Sequence, residues 1–583
     1  MKNKIGNKLL AFVLCAVLFA GASCKKLLDI KPEDEVDISN AYLTQADADA
    51  AVLGIYGKFA NLASQYIILN ELRADLMDVT NNADPYLKEI NTHNVTSKNP
   101  YANPRPIYEL IMNCNDALKG FNKMVKESRL SVQEYDRRYS DIGALRSWLY
   151  LQLGIHYGSV PYITESLESV EDLAKLSQYP KVPFNVLIDS LINFTSGLGY
   201  DRTQTFTYPT GNTLNFFIDG NNTRKFYITI PILRGDLYLW KGQYLEAAKN
   251  YKIAMDVESS GNDINFAYRV AYDGNTIVNT VSSNGVDTRN GKIQDTSVLF
   301  TGKATGWRSM FAFTNTNRSW NAEWYWSLPY GIQFATKNKL PRFFSKTMGS
   351  YLLKPSHAAL DNWQGEMRAS GTPGDPRGLL SQTVVAGDHV ITKFTDDDNS
   401  LLGGGQWNIW RAGGVHLRFA EAANRDNKSQ LAWGLLNGGI ANALVPTPSN
   451  PITVAEVAAQ ETSFPEPYYF DARDAGANNT SLRQPWSKNT GIRNRAWLSF
   501  YNRNLMNDVT ALEDALIKEA SLELAFEGQR WADLLRIAMR RDQPDFLAEK
   551  VYQKLLKSGN PAAGSVRQKL LAKQWFLPFD IYE

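Results

Sequence analysis

Apolar and polar positions repeat with a helical period along much of this chain, and one stretch near its end organises the reading of the rest. From Ile517 to Arg541 (IKEASLELAFEGQRWADLLRIAMRR), Ala520, Leu524, Trp531, Leu535 and Ala538 share a stripe at 3.6 residues per turn, widened by Leu534. Gly528 falls on the same side, where a missing Cβ lets another helix approach closely. Glu519, Glu523 and Glu527 stand at i, i+4 and i+8 and would repel one another on an isolated helix. The pattern therefore predicts an amphipathic scaffold helix whose glutamates are met by arginines from elsewhere in the fold.

Earlier segments carry the same period. Thr44 and Asp47 make a capping signal ahead of Ala51, Val52, Ile55, Tyr56 and Phe59. Ile67–Val79 reads as helical and breaks into the polar run Thr80–Pro85. Tyr108, Ile111, Asn115 and Leu118 form a further stripe, in which Asn115 is expected as a buried bridging amide. Ala144–Pro161 is an amphipathic helix stopped by Gly158 and Pro161, with His156 near its end read as structural. Within Arg234–Val257, Gly235, Tyr238, Gly242, Tyr244, Ala247, Tyr251 and Ala254 reproduce the spacing of a tetratricopeptide helix pair. One pair cannot bury its own apolar face, so Ala144–Tyr157, Val415–Asn424 and the Glu519 helix are expected to supply partners. Between about Gly261 and Gly414 the period fades into an ordered, aromatic-rich loop region.

Several of these strings resemble one family. Glu523, Ala525, Glu527, Gly528, Arg530, Trp531, Asp533, Leu534 and Arg536 resemble the C-terminal signature of RagB/SusD proteins, nutrient-binding lipoproteins of the Bacteroidetes outer membrane. Trp575–Pro578 (WFLP) resembles the family's W-x-[IL]-P ending. Ala144, Arg146, Tyr150, Leu153, Tyr157, Gly158, Val160 and Pro161 match a second family string. Arg418, Ala420, Glu421 and Ala422 match a third, and Ala51–Tyr56 is similar to the family's first helix. The resemblance implies a mainly α, SusD-like fold in which tetratricopeptide-like helix pairs pack against a loop-rich, irregular, aromatic-rich region. It implies a signal peptide at 1–23, a tether at 24–40, an N-terminal helical part at 41–260 and a C-terminal part at 261–583, the last two forming one continuous globule. It also implies a non-enzymatic lid over a SusC-like TonB-dependent transporter.

The N-terminus changes the picture from a plain globule to an anchored one. Lys2, Lys4 and Lys8 lead into the apolar run Leu9–Ala22, which has signal-peptide length, and small residues precede Cys24. This reads as a lipobox, with Cys24 lipidated and the protein held on the outer membrane, expected to face the cell exterior. Of the three cysteines only Cys114 then remains, so the mature fold rests on burial rather than disulfides. Leu28-Asp29-Ile30-Lys31-Pro32 resembles the family's segment after the lipid. A net charge of +2, without a clustered basic face, argues against nucleic acid as a partner.

Candidate chemistry is aromatic. Eight aromatic residues fall between Trp307 and Tyr330, more than twice the overall 12% share. Indole and phenol faces suit the C–H patches of sugar rings and supply contact area at low entropic cost. Trp307, Trp320, Trp324, Trp326 and Tyr330 are therefore expected to bind a glycan or related nutrient, two or three of the rings in this span being exposed. The resemblance adds Arg73, Asp75, Tyr86 and Tyr101 from the segment after the first helices. No cofactor or metal is called for: Gly403–Gly405 lacks the lysine of a phosphate loop, and Asp396–Asp398 lacks EF-hand spacing. Two alternatives stand beside nutrient capture. A secreted glycoside hydrolase would require a carboxylate pair, and a tetratricopeptide scaffold without a small-molecule ligand would bury the Trp307–Tyr330 rings.

Overall fold

The computed structural model of the chain describes residues 41–166, 179–199, 206–218, 221–256, 311, 324–330, 337–347, 349–394, 405–450, 452–473 and 491–579. Cys24, the tether, Trp307 and Trp320 lie outside them.

Helices dominate. In chain order they include α1 (Gln45–Phe59), α2 (Ala63–Ile67), α3 (Pro85–Asn91), α4 (Arg105–Lys126), α5 (Val132–Tyr157), α6 (Phe184–Ser196), α7 (Ile230–Lys241) and α8 (Tyr244–Met255). After the irregular middle come α9 (His357–Gln364), α10 (Ala412–Arg425), α11 (Ser429–Leu436), α12 (Val509–Glu523), α13 (Arg530–Arg541), α14 (Pro544–Lys557) and α15 (Ala563–Leu571). Short strands include β1 (Met77–Val79), β2 (Trp324–Pro329), β3 (Leu353–Pro355) and β4 (Gln406–Arg411); β1 pairs with β3 and β2 with β4, both antiparallel.

Local signals act where the sequence places them. Thr44 and Asp47 close a reciprocal capping box on α1, and Ser131 caps α5, which ends at Gly158 with φ +74°. Asn115 bridges as expected: its amide donates to the carbonyls of Ile163 and Glu165, and its oxygen accepts from Arg146. From α4 through α8 each helix packs on the next, α8 then packs on α10 and α10 on α11. The tetratricopeptide-like pair α7–α8 thus has neighbours on both sides, which buries the apolar face that a lone pair would leave open.

Gly235 shows how tightly α7 and α8 meet, since a Cβ there would lie 2.4 Å from the Tyr251 ring. Gly235→Ala is expected to cost about 1–3 kcal/mol of stability through overpacking. Gly57→Ala in α1, where a Cβ meets nothing within 4 Å, is expected to stabilise by up to about 1 kcal/mol. Urea unfolding of the two variants measures the contrast.

Two helical expectations need correction. Ile67–Val79 is not one helix: α2 widens into a π turn at Ile68–Leu72, and Met77–Val79 leaves as strand β1 to pair with Pro355–Leu353. Ile517–Arg541 is not one helix either, because α12 stops at Glu523 and α13 starts at Arg530. In between, Phe526 and Gly528 take positive φ, +71° and +85°. The cause comes from far away in sequence. The buried Glu71 carboxylate accepts from the backbone N–H groups of Phe526, Gly528, Gln529 and Arg530 at 2.7–3.5 Å, which draws those donors out of a helical ladder. Gly528 is close-packed as expected, against Tyr66, whose ring a Cβ would meet at 2.3 Å.

The predicted arginines are present. Glu519 pairs with Arg493 (2.9 Å) and Arg377 (2.7 Å). Glu523 meets Arg377 (2.8 Å), Arg411 (2.6 Å) and Arg495, and Glu527 meets Arg411 (2.7 Å) and Lys393 (2.6 Å). All of these charged side chains are buried.

Candidate ligand-binding surface

The described part of the aromatic segment is interior. Trp324, Trp326 and Tyr330 are buried, Trp326 completely. Every position of β2 is covered, because its pairing with β4 lies between helices rather than on a surface. Trp326 stacks on Phe59 of α1 (5.1 Å), meets Trp148 of α5 edge-on (5.2 Å) and touches Trp410 (4.9 Å), while its Nε1 donates to the Phe226 carbonyl at 2.9 Å. Trp324, Trp326 and Tyr330 therefore form a core seam rather than the expected platform.

Arg73 and Asp75 are also corrected, since both side chains are consumed by internal partners. The Arg73 guanidinium lies 3.9 Å over the Trp531 ring, 3.2 Å from His156 Nδ1, and donates to the carbonyl of Trp575. Burial pushes its pKa down to about 9. Asp75 holds Arg530 through two bonds of 2.7 and 2.8 Å.

Tyr86 and Tyr101 remain. Tyr86 on α3 is 39% exposed, and Tyr101 is partly buried. The Tyr101 hydroxyl donates to Asp84 Oδ2 at 2.9 Å, and Oδ1 of Asp84 accepts from Leu87 N, capping α3. Burial and then the Asp84 bond push the Tyr101 phenol up to about 12, so it stays neutral; the nearby Arg342 charge opposes that shift. The loop is held firmly. Asn99 donates to the Tyr86 carbonyl (2.8 Å), Gln65 to the carbonyls of Tyr101 and Asn103, and the Tyr101 ring meets Phe343 edge-on at 6.0 Å. The Tyr101 phenol and Asp84 carboxylate are thus held in place, with Tyr86 exposed two residues after Asp84 and Arg342 exposed next to the Phe343 that Tyr101 meets. Such a set can stack on a sugar ring and bond its hydroxyls in both directions.

Two interior cavities that share Tyr66, Trp148 and Gln152 hold only about 30 and 20 Å³, room for water and not for a sugar.

No family model matches the sequence, and no curated protein is significantly similar to it. Solved structures do match the fold. A SusD superfamily protein from Bacteroides vulgatus ATCC 8482 superposes with TM-score 0.57 at 14% identity, covering 91% of this chain and 93% of that one. A SusD-like carbohydrate binding protein from Bacteroides fragilis NCTC 9343 gives 0.53 at 13% identity, covering 86% and 88%. Surface glycan-binding protein A from Bacteroides uniformis gives 0.54 at 14%, covering 87% and 91%. The chain has the SusD-like fold.

Within this SusD-like fold, the matched strings turn out to be structural. The Glu523 signature is the ionic core, Trp575–Pro578 seats against Arg73 and His156, and Arg418 pairs with Asp236 of α7 at 3.0 Å. The sequence reading missed Asp84 and Arg342. Asp84 had a usable signal, an acidic residue directly before Pro85 at a helix start. Arg342 had none, because its segment is brought to Tyr101 by the Phe343–Tyr101 ring contact, more than two hundred positions apart in the chain.

Proposed function

We propose that this chain is a non-enzymatic surface lipoprotein that captures an oligosaccharide or related nutrient. It would hand that ligand to a SusC-like TonB-dependent transporter. The observation that carries the reading is a fold shared over most of the chain with proteins described as carbohydrate or glycan binding. The surface around Tyr86 and Tyr101, with Asp84 and Arg342, is the ligand-binding surface in this reading, and Trp307 and Trp320, outside the described residues, remain candidates as well. Anchoring would come from lipid on Cys24; among the described residues no helix is long and apolar enough to cross a membrane. Binding is modest and reversible, because the ligand must be released to the transporter.

The test is a titration of the soluble chain, starting after Cys24, against a polysaccharide panel, with each mixture assayed for new reducing ends. Tyr86→Ala and Tyr101→Ala are each expected to weaken glycan binding about 3- to 10-fold, the worth of one aromatic contact. New reducing ends, lost on mutating a carboxylate pair, would replace capture by hydrolysis. A second reading, a helical scaffold without a small-molecule ligand, is favoured by the burial of Trp324, Trp326 and Tyr330. It requires a flat titration across the whole panel.

A further inference from the structure

A cleft of about 600 Å³ opens between α9, α12 and α14, with the Asp75–Arg530 pair among its lining. That volume lies within the roughly 300–1,000 Å³ of small-molecule sites. Most charges in it are spoken for. Arg530 is held by Asp75, Asp514 by Arg541 (2.8 Å), Lys518 by Glu366 (2.5 Å), Lys557 by Asp361 (2.5 Å) and Glu549 by Arg567 (2.9 Å). Two lining charges are left. Asp545 is exposed in the first turn of α14, where the helix N-terminus favours a carboxylate. Lys550 is different: it is partly buried, and among the described residues no carboxylate lies within 4 Å of its ammonium. The Phe546 ring lies 4.8 Å from it.

A half-buried ammonium without a paired anion costs stability: burial, followed by the Arg530 charge, pushes its pKa below the usual lysine value, and the more distant Asp75 and Asp514 carboxylates only partly oppose that. Neutral polar groups line the same space. The Asn362 side chain carries no hydrogen bond among the described residues. Gln553 uses only its amide N–H₂, to Glu549 at 2.7 Å, and Ser521 donates to the Lys518 carbonyl at 2.6 Å while its oxygen can still accept. One cation, two amides and a hydroxyl suit a hydroxylated ligand with a single negative charge. A neutral sugar would leave Lys550 unpaired, and a polyanion would meet the four lining carboxylates, Asp75, Asp514, Asp545 and Glu549.

We propose that the cleft between α9, α12 and α14 binds a saccharide bearing one anionic substituent, a uronate carboxylate or a sulfate ester, paired with Lys550. The site shares no lining residue with the Tyr86–Tyr101 face and does not depend on it.

Calorimetric titration of the chain from Lys25 onward with galacturonic acid, its methyl ester and galactose 6-sulfate tests the proposal. Saturable binding of the uronate or the sulfated sugar is expected, and which of the two binds names the source of the charge. The ester should bind at least about tenfold more weakly than the acid, as should the acid to Lys550→Gln, while Lys550→Arg should retain binding. An unfolding midpoint for Lys550→Gln at or above that of the parent shows that the fold is intact. Equal binding of acid and ester, undiminished binding by Lys550→Gln, or no saturable binding of either charged sugar overturns the proposal. A neutral glycan whose binding responds to Tyr101→Ala and not to Lys550→Gln bears on the surface face alone, so the two readings fail separately.

Discussion

Glu523→Gln is expected to lower the unfolding free energy by about 3–5 kcal/mol, as removal of one partner from a buried ion cluster does. Burial alone would raise the pKa of this carboxyl, yet the charges of Arg495, Arg411 and Arg377 hold it well below the usual carboxylate range. Glutamine keeps the shape and removes the charge, leaving Arg377 with Asp375 and Glu519 and Arg411 with Glu527, while Arg495 loses the carboxylate it faces. The comparison is an exposed pair. Lys557→Ala, which breaks the bridge to Asp361, should cost no more than about 1 kcal/mol. Guanidinium unfolding of both variants decides it, and a Glu523→Gln loss as small as that of Lys557→Ala would show that the cluster is dispensable for stability. The sign with pH follows from the depressed pKa. The contribution of Glu523 is complete above the ordinary glutamate value and is lost only in strong acid, as pH falls through its folded value.

Glu71 is expected to act in the opposite sense. Burial pushes its carboxyl up to about 7 despite the four backbone N–H donors around it. The folded state therefore binds a proton more readily than the unfolded chain. The stabilisation is fully present below the unfolded value of 4.5 and is lost as pH rises through about 7. The parent's melting temperature should fall between pH 5 and pH 8, and Glu71→Gln, which cannot ionise, should flatten that fall. Glu71→Ala should cost about 3 kcal/mol at pH 5, because buried donors of the Phe526–Arg530 loop lose their acceptor, and less at pH 8, where the parent has lost its proton-linked share. Melting curves of the three proteins across that range provide the check. An unchanged slope in Glu71→Gln would assign the dependence to another buried group, Asp141 being the next raised to about 7.

These two carboxylates also mark how far the sequence could be read. The Glu519–Glu527 spacing sufficed to predict buried arginine partners, because like charges on one face are unfavourable wherever the helix sits. The interruption after Glu523 was hidden, since its cause, Glu71, stands some 450 positions earlier in the chain. Period and caps found α1, α5 and the α7–α8 pair because those signals are local. Trp324 and Trp326 misled for a related reason. A cluster of indoles has the same composition whether it plugs a core or faces a sugar, and only the helices covering β2 distinguish the two. Tyr86 and Tyr101 were named as candidates without any means of telling that they, and not Arg73, would reach the surface.

The seat of the Trp575–Pro578 segment bears on how this molecule is made. Arg73 donates to Trp575, and Leu577 N–H donates to the His156 carbonyl at 2.9 Å, so the tail closes onto helices formed from the first third of the chain. Glu71 likewise waits for Phe526–Arg530. Such pairings carry a large loop-closure cost and form late. A chain delivered from its N-terminus holds its early helices incomplete until Trp575–Leu577 have arrived. Premature termination anywhere before Trp575 would then yield an open, chaperone-dependent product rather than a shorter working domain.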